Sequence, residues 1–330
     1  MRLWLAIVAI CSLGLALVPG CGESGPGAET GSGSGAEGDS KVVVACTIGM
    51  VADTVRHVVG DRAEVVGLIK PGVDPHLYAA TRADVKSLLE SDVIFYNGHF
   101  LEGKMVEAIE GASESGIPVH AIAESLSESV ILEEAAGVPD PHVWMDPSAW
   151  SATIEVVRDA MIAFDPEGEG VYTANAEAYA EALAALDAYA ERVLASVPES
   201  ARVLVTAHDA FNYFGHRYGY EVMGIQGLST ESEAGVRDIE RISGILVERG
   251  VGAVFVESTV PERSVNALIN SAKAAGHDVV IGGELFSDAM GDDGTYEGTY
   301  VGMIDHNVTT IARALGGDAP EAGMSGKLTP

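Results

Sequence analysis

The tripeptide Asp-Pro-His occurs twice in the chain, at Asp74-Pro75-His76 and Asp140-Pro141-His142. Proline fixes its own φ and disfavours helix at the residue before it, so each histidine stands on a stiff, directed corner. Such a corner suits a ligand better than a core residue, and the sequence after each copy predicts a helix. A third histidine, His208, ends the strand-like run Arg202–Ala207, and an acid, Asp288, lies in Gly282-Gly-Glu-Leu-Phe-Ser-Asp288. Three imidazoles and one carboxylate are donors of intermediate softness, suited to a divalent transition ion. Glu284, in the same stretch, is the second candidate for the acidic donor. Asp74, Asp146 and Asp209 lie close enough in sequence to the histidines to orient them.

The surrounding chain alternates strand and helix. Val42–Cys46, Glu64–Ile69, Asp92–Asn97 and Pro118–Ile122 are apolar runs of strand length; Met50–Val59, Thr81–Glu90 and Leu101–Ser113 have helical spacing. Thr81 with Asp84 has the form of a capping box. A second series reads as strands at Arg202–Ala207, Glu221–Ile225, Val251–Glu257 and Asp278–Ile281. Its helices are Asp209–Tyr218, Glu233–Glu248, Pro261–Ala275 and Thr299–Leu315, with Gly250 and Gly276 where helix C-caps belong. Strands that are apolar throughout and separated by helices imply parallel sheets covered on both faces. Between the two series, Val171–Val197 carries one apolar face at helical spacing. The expected fold is therefore α/β: two lobes, each a mainly parallel sheet flanked by helices, joined by one long helix. Ligands of open α/β sheets bind beyond the carboxyl ends of the strands, and all four candidate residues follow such ends.

The expected organisation is a signal peptide over 1–20, a flexible linker over 21–40, a first lobe over 41–168, a bridging helix over 169–198, a second lobe over 199–317 and a tail over 318–330. The apolar run Leu3–Val18 is shorter than the roughly 20 residues of a membrane span. It ends at Pro19-Gly20-Cys21, in the form of a lipoprotein box with Cys21 as the lipidated residue. The Gly/Ser/Glu-rich stretch that follows cannot build a core and suits a tether. Of the three cysteines, Cys46 lies in an apolar strand and reads as a buried small hydrophobe. A formal net charge of −30 argues against nucleic acid as a partner and against electrostatic adhesion to anionic lipid.

Four segments taken in order, Val73-Asp-Pro-His76-Leu-Tyr, Asp140-Pro-His142-Val-Trp-Met-Asp146, Thr206-Ala-His208-Asp-Ala-Phe and Gly283-Glu-Leu-Phe-Ser-Asp288-Ala-Met-Gly, resemble the blocks of one family. It is the manganese/zinc solute-binding lipoproteins that serve metal ABC transporters, and the likeness extends over roughly Lys41 to Leu315. The resemblance implies that His76 and His142 from one lobe, and His208 and Asp288 from the other, hold one Zn2+ or Mn2+ buried between them. It further implies delivery to a membrane permease from the periplasmic or extracellular face, with anchoring through lipidated Cys21. Some manganese-binding relatives have glutamate where His208 stands, and many zinc-specific ones have a long histidine-rich loop in the first lobe. Ala123–Pro139 contains several acids and no histidine, so Zn2+ and Mn2+ both stay open.

Two other classes compete. A metallohydrolase needs an open metal position for water, which four protein ligands nearly fill, and no Gly-x-Ser-x-Gly nucleophile motif is present. A surface adhesion protein would use metal for stability alone. Among the other histidines, His57 and His306 read as helix residues, His120 as a strand residue, and His216 and His277 as surface residues. His99 ends a strand near the expected cleft, and Glu257 ends a strand with either a cleft-facing or a hydrogen-bonding role.

Overall fold

The structure, a computed structural model, describes residues 41–134 and 137–328. The expected signal peptide, Cys21 and the linker lie outside the described residues, and no helix among those described is long and apolar enough to cross a membrane.

Val42–Cys46 forms β1, which buries its last three residues completely and pairs in parallel with β2 (Ala63–Gly67) from Val42↔Ala63 to Cys46↔Gly67. Helix α1 (Gly49–Val59) connects them. After α2 (Arg82–Glu90), β3 (Val93–Tyr96) joins the other edge of β1. Helix α3 (Val106–Glu114) then leads to β4 (Val119–Ala121), which completes an all-parallel sheet of order β2-β1-β3-β4. The capping box of α2 is present: Thr81 Oγ1 accepts from Asp84 N, and Asp84 Oδ2 accepts from Thr81 N at 2.7 Å. Cys46 is fully buried, and burial pushes its thiol pKa far above the ordinary value, which leaves it inert.

Helix α3 starts five residues later than its apolar pattern suggests. The buried Glu102 carboxylate accepts from Thr47 Oγ1, Asn97 N and Gly98 N, and His99 and Phe100 adopt left-handed φ of 51° and 62°. A helix starting at Leu101 would remove that turn. A short antiparallel pair, β5 (Glu133–Glu134) with β6 (Val138–Pro139), precedes His142.

Neither Asp-Pro-His copy opens directly into an α-helix. A turn and the capping box separate His76 from α2, and a 3-10 turn (Val143–Met145) separates His142 from α4 (Pro147–Phe164). Asp146 is the N-cap of α4, accepting from Ser148 N and Ala149 N, with Pro147 at the first helical position.

Helix α5 (Glu169–Leu194) has 26 residues and is therefore about 39 Å long. Its buried face, including Tyr172, Tyr179, Leu183, Leu186, Tyr189 and Val193, packs on α1 and α4 of the preceding chain and on the last helix, α9, of the following chain. Tyr179 donates to Asp53 Oδ2 of α1 at 2.9 Å, and Tyr189 hydrogen-bonds Thr309 of α9 at 3.1 Å. Leu183 is completely buried on this face, so Leu183→Ala should destabilise the fold by about 3 kcal/mol. Denaturant unfolding checks this, and a loss below about 1 kcal/mol would contradict the packing.

Beyond α5, β7 (Val203–Thr206) pairs in parallel with β8 (Glu221–Gly224) across α6 (Asn212–Tyr218). After α7 (Val236–Arg249), β9 (Ala253–Glu257) pairs in parallel with β10 (Val280–Leu285) across α8 (Arg263–Ala274). The two pairs lie side by side through β7 and β9 as two separate two-stranded sheets. Where they meet, the His208 N–H donates to the Glu257 side chain. Strand β10 runs past Gly282 and Gly283, which in sequence read as its end. A Cβ at Gly282 would stand 2.9 Å from the Phe255 ring, and one at Gly283, whose φ is 155°, 2.4 Å from Thr310, so the strand continues only because both are glycine. Helix α9 (Tyr300–Ala314) is capped by Thr299. Residues of the expected tail fold back on it: Met324 N donates to the buried Asp305 carboxylate at 2.9 Å, and Leu328 is buried.

Candidate metal centre

His76 follows β2, His142 follows the β5–β6 pair, His208 follows β7 and Asp288 follows β10. The carboxyl ends of the parallel strands β2, β7 and β10 and the antiparallel pair before His142 thus bring together, from both sides of α5, the four residues read from the sequence. One donor atom from each lies within 4.8 Å of every other, and all four side chains are buried. His76 Nε2 is 3.4 Å from His142 Nε2 and 3.8 Å from Asp288 Oδ2. His142 Nε2 is 3.5 Å from Asp288 Oδ1, and His208 Nε2 is 3.2 Å from Asp288 Oδ2. Donors about 2.0–2.1 Å from a tetrahedral centre stand about 3.3 Å apart, close to these separations.

Both Asp288 oxygens and His208 Nε2 are buried without a hydrogen-bond partner among the described residues. A carboxylate in that state is costly unless a cation satisfies it. The loop carrying Asp288 is fixed from both sides: Trp144 Nε1 donates to Ser287 O at 2.8 Å, and Asn307 brackets Phe286 through its N–H and its carbonyl. Glu284 lies exposed on β10, which removes it as the acidic donor.

The groups that orient the imidazoles differ in part from those expected. His142 Nδ1 bonds Asp140 Oδ1 at 2.7 Å, and His208 Nδ1 pairs closely with Glu257 Oε2 while Glu257 Oε1 accepts from His208 N. Asp74 accepts from His76 N at 2.9 Å. Asp146 instead caps α4, and the Asp209 side chain makes no hydrogen bond to an imidazole among the described residues. Asp140 was legible as the twin of Asp74. Glu257 was visible only as an acid ending a strand, because its register beside β7 is a tertiary fact. Asn97, whose amide donates to Pro141 O at 3.0 Å, and Trp144 carried no sequence signal for their roles.

The remaining histidines lie outside the cluster. His57 stacks on Tyr179 with centroids 4.0 Å apart, His120 lies in β4 against Phe95, and His306 in α9 bonds Glu284 O. His216 is exposed, whereas His277 is half-buried and bonds Val251 O, so it is less of a surface residue than its neighbours suggest. The backbone N–H of His99 is held by Glu124.

The electrostatics divide the histidines. Burial lowers the His76 pKa to about 4, against the pull of Asp288. Burial also opposes charge on His208, but the carboxylates of Asp288 and Glu257 outweigh it and hold its pKa well above the ordinary value. Burial would raise the Asp288 pKa, yet His208, then His76 and His142, hold it well below the usual carboxylate range. His208, set between the carboxylates of Asp288 and Glu257, thus holds a proton more tightly than His76 does.

Parallel sheets on either side of a bridging helix, with a buried donor cluster at their facing ends, define the class of two-lobed solute-binding proteins. The chain belongs to the ZnuA family, the periplasmic component A of zinc-uptake complexes, whose family model matches residues 44–314. It is 42% identical to the manganese-binding lipoprotein MntA of Bacillus subtilis over 290 residues, covering 87% of this chain and 94% of that protein. It is 46% identical to the zinc-binding protein TroA of Treponema pallidum over 282 residues, covering 85% and 91%. The solved structure of the periplasmic zinc-binding protein TroA from Treponema pallidum matches with a TM-score of 0.81 at 45% identity, over 84% of this chain and 99% of that one.

Proposed function

We propose that this protein captures a divalent transition metal, Zn2+ or Mn2+, outside the cytoplasm and delivers it to the membrane permease of a metal ABC transporter. His76, His142, His208 and Asp288 are its ligands. Residues 41–168 and 199–317 act as the two lobes, 169–198 as their bridge, and lipidated Cys21 as the anchor. The observation that carries this reading is the buried Asp288 carboxylate, which faces three imidazoles and has no hydrogen-bond partner on either oxygen among the described residues. The named metals of the relatives MntA and TroA support it.

The donor set favours carriage over catalysis. Four protein ligands fill a tetrahedral shell, whereas catalytic zinc keeps a position for water. At a shared site Zn2+ binds more tightly than Mn2+, so the ion carried depends on supply as well as affinity.

Purified protein should take up one ion per chain by elemental analysis. Free metal at a hundred times Kd should add about 2.7 kcal/mol of stability, read as a higher melting temperature. Two tightly held ions, or superimposable melting curves with and without Zn2+ and Mn2+, would overturn the assignment.

A further inference from the structure

The aspartates of the two Asp-Pro-His copies share an arrangement that metal ligation does not require. Each directs Oδ1 to the backbone N–H of its own histidine, at 2.9 Å in both copies. Each offers Oδ2 to a donor from the chain beyond α5. Asp74 Oδ2 accepts from Thr230 Oγ1 at 2.5 Å, and Asp140 Oδ2 accepts from Asn212 Nδ2 at 3.1 Å. One carboxylate thereby ties a ligand-bearing corner to the opposite side of the seam, twice over.

We infer that Thr230 and Asn212 are positioning residues that latch the seam through Asp74 and Asp140 and set the rate at which the bound ion leaves. This rests on the metal-carrier reading above. His76 and His142 stand on one side of the seam and His208 and Asp288 on the other, so an ion can leave only if the sides part or one ligand corner swings away. Either motion breaks these aspartate contacts. An aspartate that has lost its cross-seam donor no longer ties its corner across the seam, although its own histidine still holds it.

The two latches are unequal. Asp140 is 1% exposed, and the Tyr213 hydroxyl also holds its carbonyl, at 3.1 Å. The Asp74–Thr230 contact instead faces a cavity of about 480 Å³, lined also by Leu77, Gln226 and Val260, where water can compete for both partners. The nearby Lys104–Glu231 pair, 3.6 Å apart and well exposed, adds little hold. Release therefore begins at Asp74, and His76 is the first ligand to leave.

The test is stopped-flow metal release from the full chain into excess chelator, using Zn2+-loaded wild type, Thr230→Val, Thr230→Ser and Asn212→Ala. Thr230→Val should release the ion at least fivefold faster, Thr230→Ser should stay within twofold of wild type, and Asn212→Ala should fall between Thr230→Val and wild type. Each should hold one ion, with a Co2+ absorption spectrum like that of wild type, which shows unchanged coordination. Thr230→Val release within twofold of wild type would overturn the latch. So would Thr230→Ser release as fast as that of Thr230→Val, a changed Co2+ spectrum, or Asn212→Ala as the faster of the two sites. If wild type takes up no metal, the carrier reading itself fails and the latch falls with it.

Discussion

Replacing Asp288 by alanine should lower the affinity for Zn2+ and for Mn2+ at least a hundredfold, about 2.8 kcal/mol. Asp288 is the anionic member of the cluster and lies within 3.8 Å of all three imidazoles. Its removal takes away both the charge that draws a cation into a buried site and up to two donor oxygens. The imidazoles that remain are neutral ligands, except that His208 would stay paired with Glu257. Asp288→Asn, which keeps the shape and one oxygen but not the charge, should fall between wild type and alanine. Competition calorimetry against a chelator of known affinity measures both variants, and a loss below threefold for alanine would remove Asp288 from the ligand set.

Lowering the pH from 7 to 5 should weaken metal binding about a hundredfold. A ligating nitrogen must be free of its proton, so each proton displaced costs about tenfold per pH unit below the pKa of its group. The sequence alone places that loss below the ordinary histidine value of about 6.5. The structure splits it instead. His208, held protonated by Asp288 and Glu257 well above the ordinary value, must give up a proton across the whole neutral range. Affinity therefore climbs with pH until the raised His208 pKa is passed. His76, with a pKa of about 4, adds a further loss only as the pH approaches that value. Calorimetry in buffers of different ionisation enthalpy should find at least one proton released per ion at pH 7. Affinity that changes less than threefold per unit between pH 5 and 7 would contradict this.

Much of this was legible in the residues. The valine runs at Val42–Cys46 and Ala253–Glu257 are buried on both faces, so their apolar pattern was continuous and their parallel pairing followed. Thr81 and Asp84 announced the start of α2, and the apolar face of α5 was plain in its spacing. A helix was expected directly after His142, but α4 begins only at Pro147, past a 3-10 turn; Trp150, Ile154, Val157 and Met161 carry its helical spacing, and the Asp-Pro-His motif drew the expected start too early. The ligands were readable because a proline corner or a strand end leaves a strong local mark. Their orienting carboxylates were less so. Asp140 acts within its own motif, but Glu257 reaches His208 from a chain position 49 residues away, through a neighbouring strand that sequence periodicity does not place. The buried Glu102, which shortens α3, acts through contacts to Thr47 and Asn97 that spacing along one helix does not encode.

The long helix has one more consequence. Its apolar face is shared between α1 and α4 on one side and α9 on the other, through Tyr179 to Asp53 and Tyr189 to Thr309. A gene fragment stopping before Glu169, or beginning after Leu194, would leave its product with naked apolar flanks where this rod should lie. Each piece would lack the partner its apolar face requires, so neither should fold alone.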